Sequence, residues 1–308
     1  MTKKILTLLT LIIFSIGAQA LTLDNDVVSD KYGNKIKIKE YNKIIILDPA
    51  VTETFYMIGA KNKICAIGIT MRSKIYPIEE TKNLPTVGNI INPSLEKILS
   101  FSPDLVVLGG MSTKMSGNLK ELNIPFIVNE AGTIKDILNN ITIYGHLTGR
   151  EKEANKLYNE CNDKINNIRL QTKNAPLNLK GAIIYSTNPM MAFNEKALPG
   201  QILKLLGVNN LTDNLVGSRP ILSQEFLLKE NPDFLAGAMS IKESKDILNA
   251  NPVIKKIKAG KNKNIFIIDS NKILRGSPRI FMGIEDLYKE LKKIKWHKPT
   301  YTMYTNNL

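Results

Sequence analysis

The sequence predicts an α/β protein of two Rossmann-like lobes with mostly parallel sheets, joined by a long rigid helix. Three observations carry this reading. Residues 94–106 align without gaps on residues 223–235, with Ser, Glu, Leu, Pro and Asp at the same steps. Short apolar runs alternate with helical patterns on both sides of the middle of the chain, the rhythm of parallel strands with crossover helices. Between the two alternating halves lies one long helical stretch over residues 133–172, with a charged second half.

Residues 1–20 read as a secretory signal. Lys3 and Lys4 precede an apolar run over residues 5–17, shorter than a bilayer span, and Ala18-Gln19-Ala20 fits the small-x-small cleavage pattern. Cleavage near Ala20 gives an exported chain, and no Cys stands at the junction to carry a lipid.

Residues 21–147 form the expected N-terminal lobe. Residues 27–38 alternate around Gly33-Asn34 and predict a hairpin. A buried strand over 43–47 turns at Asp48-Pro49-Ala50 into a helix that ends at Gly59, with Asp48 as its cap and Glu53 in its first turn. Strands follow at 64–69, 104–108 and 125–128, with helices at 94–101 and 114–122. Residues 148–174 form the connecting helix, with Thr148-Gly149-Arg150 as a break between two helical pieces and charges at i, i+3 and i+4 marking a solvated face. The C-terminal lobe, 175–308, resumes the alternation with strands at 181–185, 233–238 and 264–269 and helices at 198–206, 223–230 and 278–295.

The chain carries 42 Lys and Arg against 28 Asp and Glu, a formal charge of +14; residues 1–20 hold Lys3, Lys4 and no acid, so the processed chain carries +12. The excess is Lys scattered over the chain, without an Arg-rich stripe or interleaved aromatics, and a nucleic-acid partner is not expected. Cys65 sits in an apolar strand and Cys161 in the charged helix, and two unconnected thiols are the expectation.

The repeat also places Glu96 and Glu225 at matched steps. Together with Asp48-Pro49-Ala50-Val51-Thr52-Glu53, Asn92-Pro93-Ser94-Leu95-Glu96, Pro103-Asp104-Leu105-Val106, Ser223-Gln224-Glu225 and Gly276-Ser277-Pro278-Arg279, it resembles the periplasmic solute-binding proteins of ABC importers for ferric siderophores, haem, cobalamin and related metal chelates. Asp48 departs from the Ser usual in the opening turn. The resemblance implies a periplasmic protein with no intrinsic cofactor that captures a small-molecule metal chelate; a ferric siderophore leads because of the Arg set, and the alternatives are a nickel chelate or haem, or an exported sensor or enzyme on the same fold. It also implies an inner-membrane ABC permease as partner, with Glu96 and Glu225 docking on permease arginines.

Ligands of open α/β sheets bind beyond the carboxyl ends of strands. The residues that follow the predicted strands are Met71 and Arg72, Met111, Met190 and Met191, Met239, and Arg275, with Tyr185 closing one strand. Such methionines form a deformable, polarizable wall, fill a lobe interface, or ligate a soft metal by their thioethers. Arg is scarce, six against 36 Lys, and Arg72, Arg219 and Arg275 fall in the inferred cleft loops, suited to forked recognition of anionic oxygens or to lobe-stabilising pairs. Only His146 and His297 are present, too few for a closed bare-ion site. No nucleophile elbow, phosphate-binding loop or His-containing triad is found, so no enzymatic activity is expected.

Overall fold

The structure, a computed structural model, describes residues 20–71 and 73–296. The predicted signal before Ala20, Arg72 and His297 therefore lie outside the described residues.

An amino-terminal antiparallel sheet, β1 (Leu21–Asp24), β2 (Val27–Asp30) and β3 (Lys35–Lys37), flanks the first lobe. Asp30 is buried and fixes its turn. One carboxylate oxygen accepts the Tyr32 and Asn34 amides at 2.9 and 3.0 Å, and the other accepts the Asn34 side chain and the amide of Val128 in the next sheet at 2.8 Å each. That next sheet is parallel throughout: β4 (Ile44–Ile46), β5 (Ile64–Ile69), β6 (Thr86–Asn89), β7 (Leu105–Gly109) and β8 (Phe126–Asn129), in the order β6-β5-β4-β7-β8. Its central strand, Ile44-Ile45-Ile46, is fully buried because helices cover both faces.

The second lobe holds β9 (Lys180–Thr187), β10 (Met190–Ala192), β11 (Asn209–Asn210), β12 (Phe234–Gly237) and β13 (Ile265–Ile267). The order is β10-β9-β12-β13, with β11 also on β9; β10 is antiparallel and the rest parallel.

The helical middle divides at Gly149, which caps the helix Ile134–Thr148 at φ 64 before the helix Glu151–Asn174 begins. Only a residue free of a Cβ adopts that turn without strain. The long helix is charged on its outer face and buries Ala154, Leu157, Cys161, Ile165 and Ile168. One continuous core runs from Ile44 and Tyr144 through Ile165 to Ile183 and Ile284, so the lobes share a packed spine. Among the described residues no helix is long and apolar enough to cross a membrane. Both cysteines are free, and burial pushes the Cys161 thiol up to about 12.

Three local expectations are corrected. Residues 114–122 are not one helix: a 3-10 turn, Gly110–Met115, precedes the helix Ser116–Glu121. The first helix begins at Pro49, which puts Glu53 beyond its first turn. The strand expected at 181–185 runs from Lys180 to Thr187, and the segment behind it that carries Met190 and Met191 returns as the antiparallel strand β10.

The repeat has a structural meaning in both lobes. Ser94 and Ser223 cap their helices by accepting the Lys97 and Phe226 amides at 3.2 and 3.1 Å, and Ile98 and Leu227 plug the core beneath. Ser102 (φ 47) and Asn231 (φ 45) turn the chain into Pro-Asp. Asp104 then accepts the Asn42 and Lys43 amides at 2.7 and 3.0 Å, and Asp233 accepts the Lys180 amide at 3.0 Å. Each aspartate thus ties its strand to the start of the neighbouring central strand. Replacing either with Ala removes that acceptor from exposed or part-buried amides, an expected loss of about 0.5–1.5 kcal/mol per hydrogen bond, read from urea unfolding.

Candidate ligand cleft

The carboxyl ends of the two sheets meet at one boundary. Ser73 and Lys74, after β5, touch Arg275, after β13. Gly132, after β8, accepts from the Gln201 side chain at 3.1 Å, and a Cβ on Gly276 would stand 2.9 Å from the Ala131 carbonyl oxygen. The loops that leave the strands here are therefore the walls of the candidate cleft.

On the first lobe, Met71 and Met111 are exposed behind β5 and β7, Met71 at 88%. They are joined by Ile69 and Ile91, exposed at the carboxyl ends of β5 and β6. On the second lobe Met239 is exposed at φ 61, its amide donating to Ser270 Oγ at 2.7 Å. Met191 is half-buried and forms a bridge with exposed Ile221. Met190 is a correction. The alternation of β10 turns Met190 and Ala192 into the core and leaves Met191 outside, so Met190, 6% exposed, packs with Ala182, Ile184 and Leu222. Sequence reasoning missed Ile69, Ile91 and Ile221, because an isoleucine at a strand end reads as core until its exposure is known.

Tyr185 and Arg219 are brought together. The guanidinium lies 4.7 Å from the Tyr185 ring centre and 5.8 Å from that of Phe193, and the two rings meet edge to face at 5.4 Å. This aromatic backing holds an exposed cation at the second lobe's cleft edge. Beneath the first lobe's wall Asp48 caps its helix, accepting the Ala50 amide at 2.8 Å and the Asn129 side chain at 2.7 Å. Asn129 in turn accepts from Asn140 and Tyr144 at 2.7 and 2.9 Å. Burial pushes the Asp48 carboxyl above its usual range, against those two hydrogen bonds.

Glu96 and Glu225 are exposed in the first turns of the two repeated helices. Each helix follows a sheet edge: Ser94 donates to Val87 in edge strand β6, and Leu222 donates to Met190 in edge strand β10. The two carboxylates thus occupy corners of their lobes, each in the first turn of the repeated helix and beside a sheet edge. Hydrogen bonds from its own amide and from Ser223 hold the Glu225 carboxyl below its ordinary value.

Arg275 is not an open cleft cation. Its guanidinium pairs with Glu53 and donates to the Lys74 carbonyl and Ser73 Oγ at 2.9 Å each. Glu53, 0% exposed, also accepts from Arg279 at 3.1 Å, Ser277 Oγ at 2.6 Å and the Tyr76 amide at 3.1 Å. Arg279 lies over the Tyr76 ring at 4.4 Å. One first-lobe carboxylate therefore gathers donors from the second lobe and from its own Tyr76 loop. Glu53→Gln would leave two mostly covered guanidinium groups without their counter-charge. The expected loss is about 3–5 kcal/mol, measured by urea unfolding, with the radius of gyration from solution scattering increasing as the lobes part.

Comparison with known proteins agrees with this architecture. The chain is 24% identical over 261 residues to the uncharacterized ABC transporter substrate-binding lipoprotein YvrC of Bacillus subtilis, covering 82% of this chain and 81% of that one. It is 24% identical over 259 residues to a vitamin B12-binding protein of Vibrio parahaemolyticus, covering 82% and 90%. A solved structure of a possible iron-binding, periplasmic solute-binding protein from Staphylococcus epidermidis superposes with a TM-score of 0.71 at 24% identity, over 82% of this chain and 99% of that one, which shows a shared fold. A model described as periplasmic binding protein matches residues 44–272, and the chain belongs to that family.

Proposed function

We propose that this protein is the periplasmic solute-binding component of an ABC importer, holding a metal chelate between its lobes and delivering it to a membrane permease. The observation that carries this is the pair of exposed glutamates at matched steps of the repeated helix, one on each of two lobes locked to one another. Two carboxylates on one rigid frame present a fixed two-point pattern to a partner, and each accepts a forked arginine. Likeness to an ABC transporter substrate-binding lipoprotein and to a vitamin B12-binding protein supports the same reading. The protein binds and releases; it performs no reaction on its cargo.

The cleft walls favour a large, mostly apolar chelate. With Arg275 drawn into the Glu53 clasp, Arg219 is the arginine that the described walls present, among Met71, Met111, Met191, Met239, Ile69, Ile91 and Ile221. A haem or corrinoid presents a broad apolar ring that such a soft thioether and branched aliphatic wall fits. The methionines line the site by packing rather than by ligating metal.

Native mass spectrometry with an absorbance spectrum, on protein recovered from its own periplasm, identifies the cargo. A Soret or corrin spectrum is the expected result; a ferric catecholate band, or nickel without iron, would overturn the ligand assignment. Glu96→Arg with Glu225→Arg is expected to abolish uptake while leaving cargo affinity unchanged, and undiminished uptake would contradict the docking role.

A further inference from the structure

We infer that the tip of the amino-terminal hairpin, Lys31 and Tyr32, belongs to the ligand site, where it closes one end of the cleft with an aromatic ring and an ammonium that exchanges its partner for an anionic oxygen of the chelate. The inference rests on the reading of the cleft as a chelate site.

The hairpin tip is fixed to the ligand edge of the first lobe. The buried Asp30 ties the turn to the Val128 amide in β8. Glu130, the first residue beyond β8, accepts from Tyr32 Oη at 2.6 Å and pairs with Lys31. Its carboxylate lies against Gly110, just beyond β7, where a Cβ would come within 2.9 Å of Glu130 Oε1. Met111, a cleft-wall residue, is next in the chain and exposed. The residues after Glu130 are the ones that meet the second lobe, through Ala131 against Gly276 and Gly132 with Gln201. Lys31, Tyr32 and Glu130 therefore stand where the wall ends and the lobes touch.

The chemistry of the tip suits a ligand contact. Tyr32 is 53% exposed although its hydroxyl is bonded, so its ring is held in place and free to pack. The bond to Glu130 raises the Tyr32 phenol above its ordinary value, and a neutral phenol that donates to a carboxylate serves as a packing surface rather than as a phenolate ligand for iron. The Lys31–Glu130 pair is partly exposed on both sides, at 37% and 26%. Such pairs contribute little net stability, so opening one to admit a ligand anion costs little.

The test uses haemin, cyanocobalamin and a ferric tris-catecholate as probes, with Kd measured by fluorescence quenching on the intact protein. For whichever probe the wild type retains, Tyr32→Ala and Lys31→Ala are each expected to weaken binding about three- to ten-fold. Lys31→Ala should also flatten the salt dependence of Kd. Tyr32→Phe, which keeps the ring, should retain most of the affinity. Glu130→Gln, which releases Lys31, should strengthen it. An unaltered unfolding midpoint shows that each variant is folded. Wild-type binding with Kd unchanged in Tyr32→Ala and Lys31→Ala would overturn the inference alone. A wild type that binds none of the three overturns the chelate reading and the inference with it.

Discussion

The Glu53 carboxylate is buried at the boundary between the lobes, and it accepts there from Arg275, Arg279, Ser277 and the Tyr76 amide. A buried carboxylate is costly unless several donors replace its water, and here they do. The donors come from both sides of the boundary, so the lobes cannot separate without exposing two guanidinium groups and a carboxylate in turn. The surface pair between Lys164 of the long helix and Glu285 of the last helix, at 2.7 Å, is a weaker tie of the ordinary kind. The clasp and the continuous core both oppose opening at the boundary.

This constraint shapes the cleft. It draws Arg275 into the clasp and leaves exposed thioether and branched aliphatic side chains at the candidate cleft, with Arg219 held on Tyr185 and Phe193. It also fixes the spacing of the corners that carry Glu96 and Glu225. On the proposed reading, cargo and permease meet different surfaces of one frame: strand-end loops for the first, helix starts beside the edge strands for the second.

Much of this was legible in the chain because it is local. The repeat, the Asp48 cap, the break at Gly149 and the methionines behind the strands each follow from a few neighbouring residues. What escaped has identifiable physical reasons. Edge strand β6 reads Thr-Val-Gly-Asn, with Val87 alone of the four fully buried and Gly88 at φ 102, so it has no apolar run to announce it. Met190 and Met191 are adjacent and chemically identical, and only the register of β10 on β9 separates core from wall. Glu53 and Arg275 lie 222 residues apart, and nothing local in either distinguishes a helix glutamate from a buried acceptor or a cleft arginine from its partner. The hairpin tip reaches the ligand edge through Asp30 and Val128, 98 residues apart.

The rigidity of the two-lobe frame is measured most directly by pulsed electron–electron double resonance. Spin labels at Asn118→Cys and Asn249→Cys, exposed positions on opposite lobes, would be placed in a background lacking Cys65 and Cys161. A clasped frame gives a single narrow distance distribution in the ligand-free protein. A broad or two-peaked distribution in that state, with the Glu53 clasp intact, would contradict the account.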